Sequence, residues 1–135
     1  MWVVKVNGYE IKPGANLSHA KLSNTNLNGV DLSGANLWRA ELGKRDMSRY
    51  MEGTTLINAN LSNANLSGAN LSCAKVSNAN LSNANLSNAN LKGADMNRAK
   101  RAGANLTGAT MPDGTRNITG LRKLFGSKND WRNNA

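Results

Sequence analysis

Leucine recurs at every fifth position through most of this chain, as in ANLSNANLSNANLKGADM, residues 79–96. A step of five residues turns a side chain by about 140° around an α-helix, so leucines at this spacing do not form a stripe. In a flat β-strand, an odd step sends alternate leucines to opposite faces. The spacing predicts instead a backbone that turns a corner within each repeat, so that every leucine points to one axis. Such a chain is a solenoid of short extended segments and tight turns.

Three columns of the repeat carry this pattern. Counted continuously, there are twenty centres, of which fourteen are Leu, four Met, one Val and one Arg. Ala stands two residues before fifteen of them, which predicts an interior layered from small and larger apolar side chains. Asn precedes the centre ten times, and the position two after it is usually Gly or Asn, which adopt positive φ and suit corners. The predicted core column is Leu17, Leu22, Leu27, Leu32, Leu37, Leu42, Leu56, Leu61, Leu66, Leu71, Val76, Leu81, Leu86, Leu91, Met96, Leu106 and Met111.

The stretches ANLSN, ANLSG and GADMN resemble the pentapeptide-repeat family, whose consensus is A-(D/N)-L-X-X, over residues 15–111. The resemblance implies an all-β fold, a right-handed quadrilateral parallel β-helix with four repeats per coil and the Leu and Ala columns inside. Twenty repeats make about five coils, stacked about 4.8 Å apart. Counted in this way, Leu17, Leu37 and Leu56 share one side of the β-helix.

Both ends of the chain are predicted to cap an open sheet edge. In residues 1–14, apolar residues alternate around Asn7-Gly8, which indicates a β-hairpin. Residues 112–135 begin with a Pro-Asp-Gly break, and we expect a short helix after it that covers the last coil. The alternative is an exposed amphipathic tail that binds a partner. The residues at helical spacing, which form the predicted end cap, are Ile118, Leu121, Leu124 and Phe125.

The repeat is irregular in LWRAELGKRDMSRYMEGTTL, residues 37–56, where one step has four residues and Arg45 and Arg49 replace Ala. Two buried, unpaired guanidinium groups would be very costly, so residues 43–53 are predicted either to bulge within a coil or to loop out. If the whole segment leaves the β-helix, the repeat count falls to eighteen.

A basic cluster with aromatic residues suits phosphate contact and base stacking, which makes this irregular segment a candidate partner-binding surface. The alternative is a solvated insertion whose arginines pair with Glu41, Asp46 and Glu52. The candidate binding residues are Trp38, Arg39, Lys44, Arg45, Arg49 and Tyr50.

Composition and charge narrow the function classes. The 135 residues are enough for one domain, and aromatic residues make up only 4% of them. The net charge of +9 is compatible with a soluble basic protein or with attraction to nucleic acid, an anionic membrane or an acidic protein. No apolar stretch approaches the roughly 18 residues that span a bilayer, and the single Cys73 cannot form an intrachain disulfide. We expect no secretory signal, no membrane partner and a cytoplasmic location.

The sequence offers no catalytic set of residues, no phosphate-binding glycine loop and no metal-ligand cluster. His19, at a predicted corner, has no second imidazole or nucleophile near it in the sequence. Arg101, at a centre, is expected to reach solvent at the open end or to pair with Asp113, and an anion site with Lys100 and Arg98 is the alternative. We therefore expect a protein that is not an enzyme and has neither cofactor nor small-molecule substrate.

The main functional hypothesis is a rigid scaffold or protein-interaction module whose partner protein is unknown. One alternative is a building block of a larger assembly, including a homo-oligomer joined through the solenoid ends. Another is weak nucleic-acid binding by the basic surface. Some pentapeptide-repeat proteins imitate the DNA duplex and bind type II topoisomerases, but this mimicry needs a negative surface and the charge here is +9.

Overall fold

The computed structural model describes residues 4–43 and 53–118, which form a stack of four-sided coils preceded by a short hairpin. Parallel bridges join residues 20 apart in sequence, for example Asn16 with Asn36 and Asn60 with Asn80. Because twenty residues are four pentapeptides, each coil has four sides, and each side carries one short extended segment. The structure thus confirms the expected all-β, right-handed quadrilateral β-helix.

The leucine column fills the axis of the stack. Leu32, Leu61 and Leu86 have no solvent-exposed surface, and the Ala column lies beside them with Ala35 equally buried. Met96 is half-buried because it belongs to the last coil. Burial of this many apolar side chains along one axis is the main stabilising term of the fold.

Main-chain hydrogen bonds join each coil to the next. The N–H of Leu37 donates to the carbonyl of Asn65 at 2.7 Å, and the N–H of Asn65 donates to the carbonyl of Ala35 at 2.9 Å. The same pair of bonds recurs along all four sides. The ladder therefore satisfies the polar backbone groups that flank the apolar axis.

The corners explain why Asn and Gly recur. The residue two after the centre has a positive φ, 61° at Asn63 and 67° at Gly34, for instance. Asn before the centre has a local role: Asn60 Oδ1 accepts hydrogen bonds from the N–H and the hydroxyl of Ser62, at 3.1 and 2.7 Å. The amide contact between coils is longer, 3.4 Å from Asn36 Nδ2 to Asn16 Oδ1. Asn is thus favoured mainly because it stabilises the turn of its own repeat.

The bridges that pass the irregular segment span more residues than the others. Asn26 pairs with Thr55, 29 residues later instead of 20, and three further bridges have the same offset. The offset is larger by nine residues, which is the length of the stretch 44–52. That stretch lies outside the described residues. The N–H of Thr54 donates to the carbonyl of Leu42 at 3.2 Å. The coil therefore closes between these two residues, and the register of the bridges does not include residues 44–52.

The expectation that Leu56 shares a side with Leu17 and Leu37 is therefore wrong. The bridges place Leu56 after Leu27 in one column, and they place Leu66 after Leu37. The register counts eighteen repeats, or four and a half coils, rather than twenty. Met47 and Met51, the other two centres of the continuous count, lie outside the described residues.

Two buried glycines flank the point where the nine residues are inserted. A Cβ on Gly43 would lie 2.6 Å from Asn70 Oδ1, and a Cβ on Gly53 would lie 2.7 Å from the carbonyl carbon of Cys73. The adjoining Thr54 is fully buried in the Ala column, and its hydroxyl donates to the carbonyl of Leu22 at 2.5 Å. The junction is consequently tight, and glycine is required there for close approach to the next coil.

The N-terminal hairpin covers one side of the first coil. Strand β1, Val4–Val6, pairs antiparallel with β2, Tyr9–Ile11, around the turn at Asn7-Gly8. The Tyr9 hydroxyl accepts a hydrogen bond from the N–H of Lys21 at 3.2 Å, and the Asn7 side chain donates to the carbonyl of the same residue at 3.2 Å. These bonds occupy backbone groups on the first coil that have no earlier coil to pair with.

At the other end, the chain reverses after Met111. Thr110 pairs antiparallel with Arg116, and the N–H of Asn117 donates to the carbonyl of Ala109 at 2.7 Å. Among residues 4–43 and 53–118 there is no helix. Ile118 is 43% exposed, whereas Leu121, Leu124 and Phe125 lie outside the described residues, so the C-terminal cap helix stays a prediction.

Replacement of Gly53 by Ala tests the tight junction. We expect Gly53→Ala to lower the free energy of unfolding by about 2–3 kcal/mol, because the new Cβ meets the backbone of Cys73. Urea denaturation followed by circular dichroism measures this change. The matched control is Gly34→Asn, at a corner with open space, and its effect should stay below about 0.5 kcal/mol. Equal losses in the two variants would contradict the packing argument.

Deletion of residues 44–52 tests the register. Joining Gly43 directly to Gly53 gives an ordinary five-residue step from Leu42 to Leu56, so the shortened chain should fold with unchanged or higher thermal stability. Thermal denaturation and the far-ultraviolet circular dichroism spectrum measure the result. Deletion of residues 64–72, also nine residues but within the regular ladder, should abolish cooperative unfolding. A shortened chain without residues 44–52 that fails to fold would show that these residues belong to a coil.

Candidate interaction surface

Trp38 interrupts a column of small polar residues on one side of the β-helix. The equivalent positions in neighbouring coils are Ser18, Ser67 and Ser87. The Trp38 side chain is 40% exposed. Its N–H donates to Asn36 Oδ1 at 3.1 Å, which is the turn bond of an ordinary repeat. The indole is therefore presented to solvent by regular, rigid backbone.

Two side chains hold the indole in place. The His19 ring meets it edge to face, with ring centroids 4.9 Å apart and an interplanar angle of 84°. The guanidinium carbon of Arg39 lies 4.9 Å from the centroid of the Trp38 ring. Each contact is worth about 0.5–1 kcal/mol at an exposed site. We call His19, Trp38 and Arg39 the Trp38 cluster.

The backbone under this cluster is strained. His19 and Arg39 occupy corners with φ of 59° and 53°, where most repeats have Gly or Asn. A side chain with an ordinary Cβ in this region costs about 1–2 kcal/mol. Asn or Gly at both positions would give the fold greater stability, because these residues adopt a positive φ at lower cost. Strain in a cluster of large exposed side chains favours a functional explanation.

The structure brings together only part of the predicted surface. Trp38 and Arg39 are in contact, and the nine-residue insertion is joined to the next corner, at Gly43 and Gly53. The other predicted residues, Lys44, Arg45, Arg49 and Tyr50, lie outside the described residues. His19 was predicted at a corner but not beside Trp38. The coil length of 20 residues could have predicted this contact, because it places His19 one coil before Arg39 in the same corner column and therefore close to Trp38.

Three acidic residues of the described chain stabilise structural turns or the hairpin. The hydroxyl and the N–H of Ser33 hydrogen-bond to Asp31 and lower the pKa of its carboxyl group, and Thr115 lowers the pKa of Asp113 in the same way. Lys12, 3.0 Å from Glu10, lowers the pKa of that carboxyl group through its hydrogen bond and its charge. These carboxylates are stabilised in the ionised form, which does not suit a general acid near neutral pH.

Within residues 4–43 and 53–118, no group of three or more His, Cys, Asp or Glu side chains is placed to hold a metal ion. The described part of the chain also contains no helix with the length and apolar character needed to cross a bilayer. Cys73 is an exposed free thiol at a corner with φ of 58°.

A family model of pentapeptide repeats matches residues 14–48, 50–83 and 77–111, in eight copies. The chain belongs to the pentapeptide-repeat family. The family assignment accounts for the twenty-residue coil and for the Ala and Leu columns. No sequence among the curated proteins compared matches this chain.

Solved pentapeptide-repeat structures are similar to this chain. The protein AT2G44920 from the thylakoid lumen of Arabidopsis thaliana is 32% identical, with a TM-score of 0.52, and the match covers 81% of this chain and 73% of that one. HetL, involved in heterocyst differentiation regulation in the cyanobacterium Nostoc sp. strain PCC 7120, is 34% identical with a TM-score of 0.39, over 76% of this chain. This chain spans about half, 52%, of the length of HetL. The Nostoc protein alr5209 is 32% identical over 80% of this chain and 79% of its own, with a TM-score of 0.41.

Proposed function

We propose that this pentapeptide-repeat protein is a non-catalytic interaction scaffold that binds a protein partner through the Trp38 cluster and the adjoining residues 44–52. The observation that carries the proposal is the 40% exposed indole of Trp38, which His19 and Arg39 hold on the regular side of a filled β-helix. Trp and Arg are among the residues that contribute most binding energy at protein interfaces.

Rigidity supports this proposal. Trp38 is carried by a backbone that is hydrogen-bonded to both neighbouring coils: the Trp38 carbonyl accepts from the N–H of His19 at 2.9 Å, and the N–H of Arg39 donates to the carbonyl of Ser67 at 3.0 Å. A side chain that is already ordered loses little conformational entropy when it binds. The surrounding Ser and Asn side chains offer hydrogen bonds at the rim of such a contact.

The packed axis supports a role without catalysis, because the Leu and Ala side chains fill the inside of the coils and leave no room for a substrate there. Nucleic-acid binding is the second candidate, since an exposed indole beside a guanidinium also suits base stacking. The two candidates differ in their dependence on salt, because phosphate contacts weaken steeply as the salt concentration rises.

Two substitutions can remove the cluster without damaging the repeat. Trp38→Ser and Arg39→Asn introduce the residues that Ser87 and Asn88 provide at the equivalent positions two coils further on. We expect the double variant to keep its stability within about 1 kcal/mol, because relief of strain at φ 53° offsets the lost ring contacts. Urea denaturation measures this expectation.

The same double variant tests the function. The full chain is used to capture partners from nuclease-treated extract of its host at about 0.15 M salt, the physiological range, and the captured proteins are quantified by mass spectrometry. We expect the double variant to retain less than about a tenth of the partner, as is typical when two central anchors are lost. The matched control, Ile57→Ser with Lys75→Asn, removes one apolar and one basic side chain from another side and should capture normally.

Undiminished capture by the Trp38→Ser/Arg39→Asn variant would exclude the cluster as the binding surface. Capture of nucleic acid from a parallel extract without nuclease, while no protein is retained from the treated one, would favour nucleic-acid binding over the proposed protein interaction. The variant without residues 44–52 separates the contribution of the insertion from that of Trp38.

A further inference from the structure

Among the described residues, three sides of the last coil have no following segment, namely those of Asp95, Lys100 and Asn105. After Met111 the chain turns back at Pro112, and Thr110 pairs antiparallel with Arg116 in place of a further parallel coil. Among the described residues, Asp95 is bridged to Lys75 alone. A cavity of about 430 Å³ opens at this position, lined by Asp95, Met96, Arg98, Arg101 and Pro112 among others.

The floor of this cavity is a strand edge. The carbonyls of Asp95 and Asn97 accept hydrogen bonds from the N–H groups of Val76 and Asn78 in the preceding coil, at 2.7 and 2.9 Å. By the same ladder geometry, the N–H groups of Met96 and Arg98 point away from that coil, and no other residue of the described chain accepts from them. A strand edge with outward N–H groups is a template for pairing with an extended peptide.

The two arginines of the cavity are both departures from the repeat. Arg101 stands at a centre where the same column has Leu61 and Leu81 in the preceding coils. Arg98 stands at a corner with φ of 59°, where Asn58 and Asn78 precede it. The fold is therefore better served by Leu and Asn at these two positions. Both departures introduce a positive charge, and both line one cavity.

Charge is concentrated at this end of the molecule. Residues 92–116 contain five basic and two acidic residues, whereas the described residues 15–43 and 53–91 contain three basic and two acidic residues. The carboxylate of Asp95, in the cavity lining, already accepts the N–H of Asn97 at 3.0 Å as part of its own turn. Residues 119–135, which lie outside the described residues, contain four further basic residues and one acidic residue, so the charge complementary to this part of the sequence is negative.

We infer that the C-terminal end of the β-helix binds an extended acidic peptide segment of a partner protein. The peptide adds a strand at Met96–Arg98 and places a carboxylate beside Arg98 and Arg101. Main-chain pairing provides affinity for an extended chain, and the guanidinium groups select a carboxylate by charge-assisted hydrogen bonds. This surface lies at the last coil, apart from the Trp38 cluster of the first two coils, and the inference does not depend on the function proposed for that cluster.

Fluorescence anisotropy with synthetic peptides tests the inference. The probe is a labelled decapeptide in which Glu alternates with Thr, and the comparison peptide has Gln in place of Glu. The full chain should bind the Glu peptide at least about tenfold more tightly than the Gln peptide near physiological salt. A Glu peptide that is N-methylated at every amide should lose its affinity, because neither of its edges can then form the ladder of a β-strand.

Matched variants locate the site. Arg98→Asn with Arg101→Leu introduces the residues found in the preceding coils, so this variant should still unfold cooperatively in urea and should bind the Glu peptide about tenfold or more weakly. Lys5→Thr with Lys21→Asn removes the same number of charges at the hairpin and the first coil, and should bind like the natural chain. The Trp38→Ser/Arg39→Asn variant should also bind normally, which separates this site from the proposed function.

Absence of Glu-peptide binding to the full chain would overturn the inference. Equal weakening by the two charge-matched variants would do the same, since it would indicate diffuse attraction to a basic surface. Unchanged binding of the N-methylated peptide would exclude strand addition at Met96–Arg98.

Discussion

The regular corners of this β-helix place one residue in the left-handed region of backbone space, two positions after an inward-pointing side chain. Asn or Gly occupies most of these corners, and φ there is close to 60–70°, as at Asn63 and Gly68. Without that conformation, a step of five residues would scatter the leucines around the chain. With it, every leucine reaches one axis and every coil presents its edge to the next, so that apolar burial and the hydrogen-bond ladder become compatible.

Four corner residues are exceptions to this preference for Asn or Gly. His19, Arg39, Cys73 and Arg98 adopt the corner conformation with a side chain that disfavours it. For Cys73 the structure provides no further contact that would explain the choice. His19 and Arg39 both contact Trp38, and Arg98 lines the same cavity as Arg101. In a fold with so regular a surface, strained residues that converge on one indole or one cavity are the best indication of binding sites.

The insertion shows that stacking, rather than sequence count, decides which repeats are neighbours. The coil closes between Leu42 and Thr54, and the nine residues 44–52 do not change the order of the four sides. Glycine on both sides of this point allows the next coil to approach closely at Ser72 and Cys73. A β-helix can thus carry a long insertion at one corner as long as the two flanking residues remain small.

The resemblance to pentapeptide-repeat proteins implied the quadrilateral coil, and the sequence by itself determined the period, the inward Leu and Ala columns, the corner residues and the Asn7-Gly8 hairpin. These features depend on dihedral preferences and side-chain size within one or two repeats, which are local properties. Only the tertiary structure decided that Leu56 follows Leu27, that His19 meets Trp38, and that the last coil leaves a cavity beside Arg98 and Arg101. Each of these depends on contacts between coils, 20 or 29 residues apart, or on the reversal of the chain after Met111. Local spacing cannot specify such contacts, because they arise only when one complete coil lies on another.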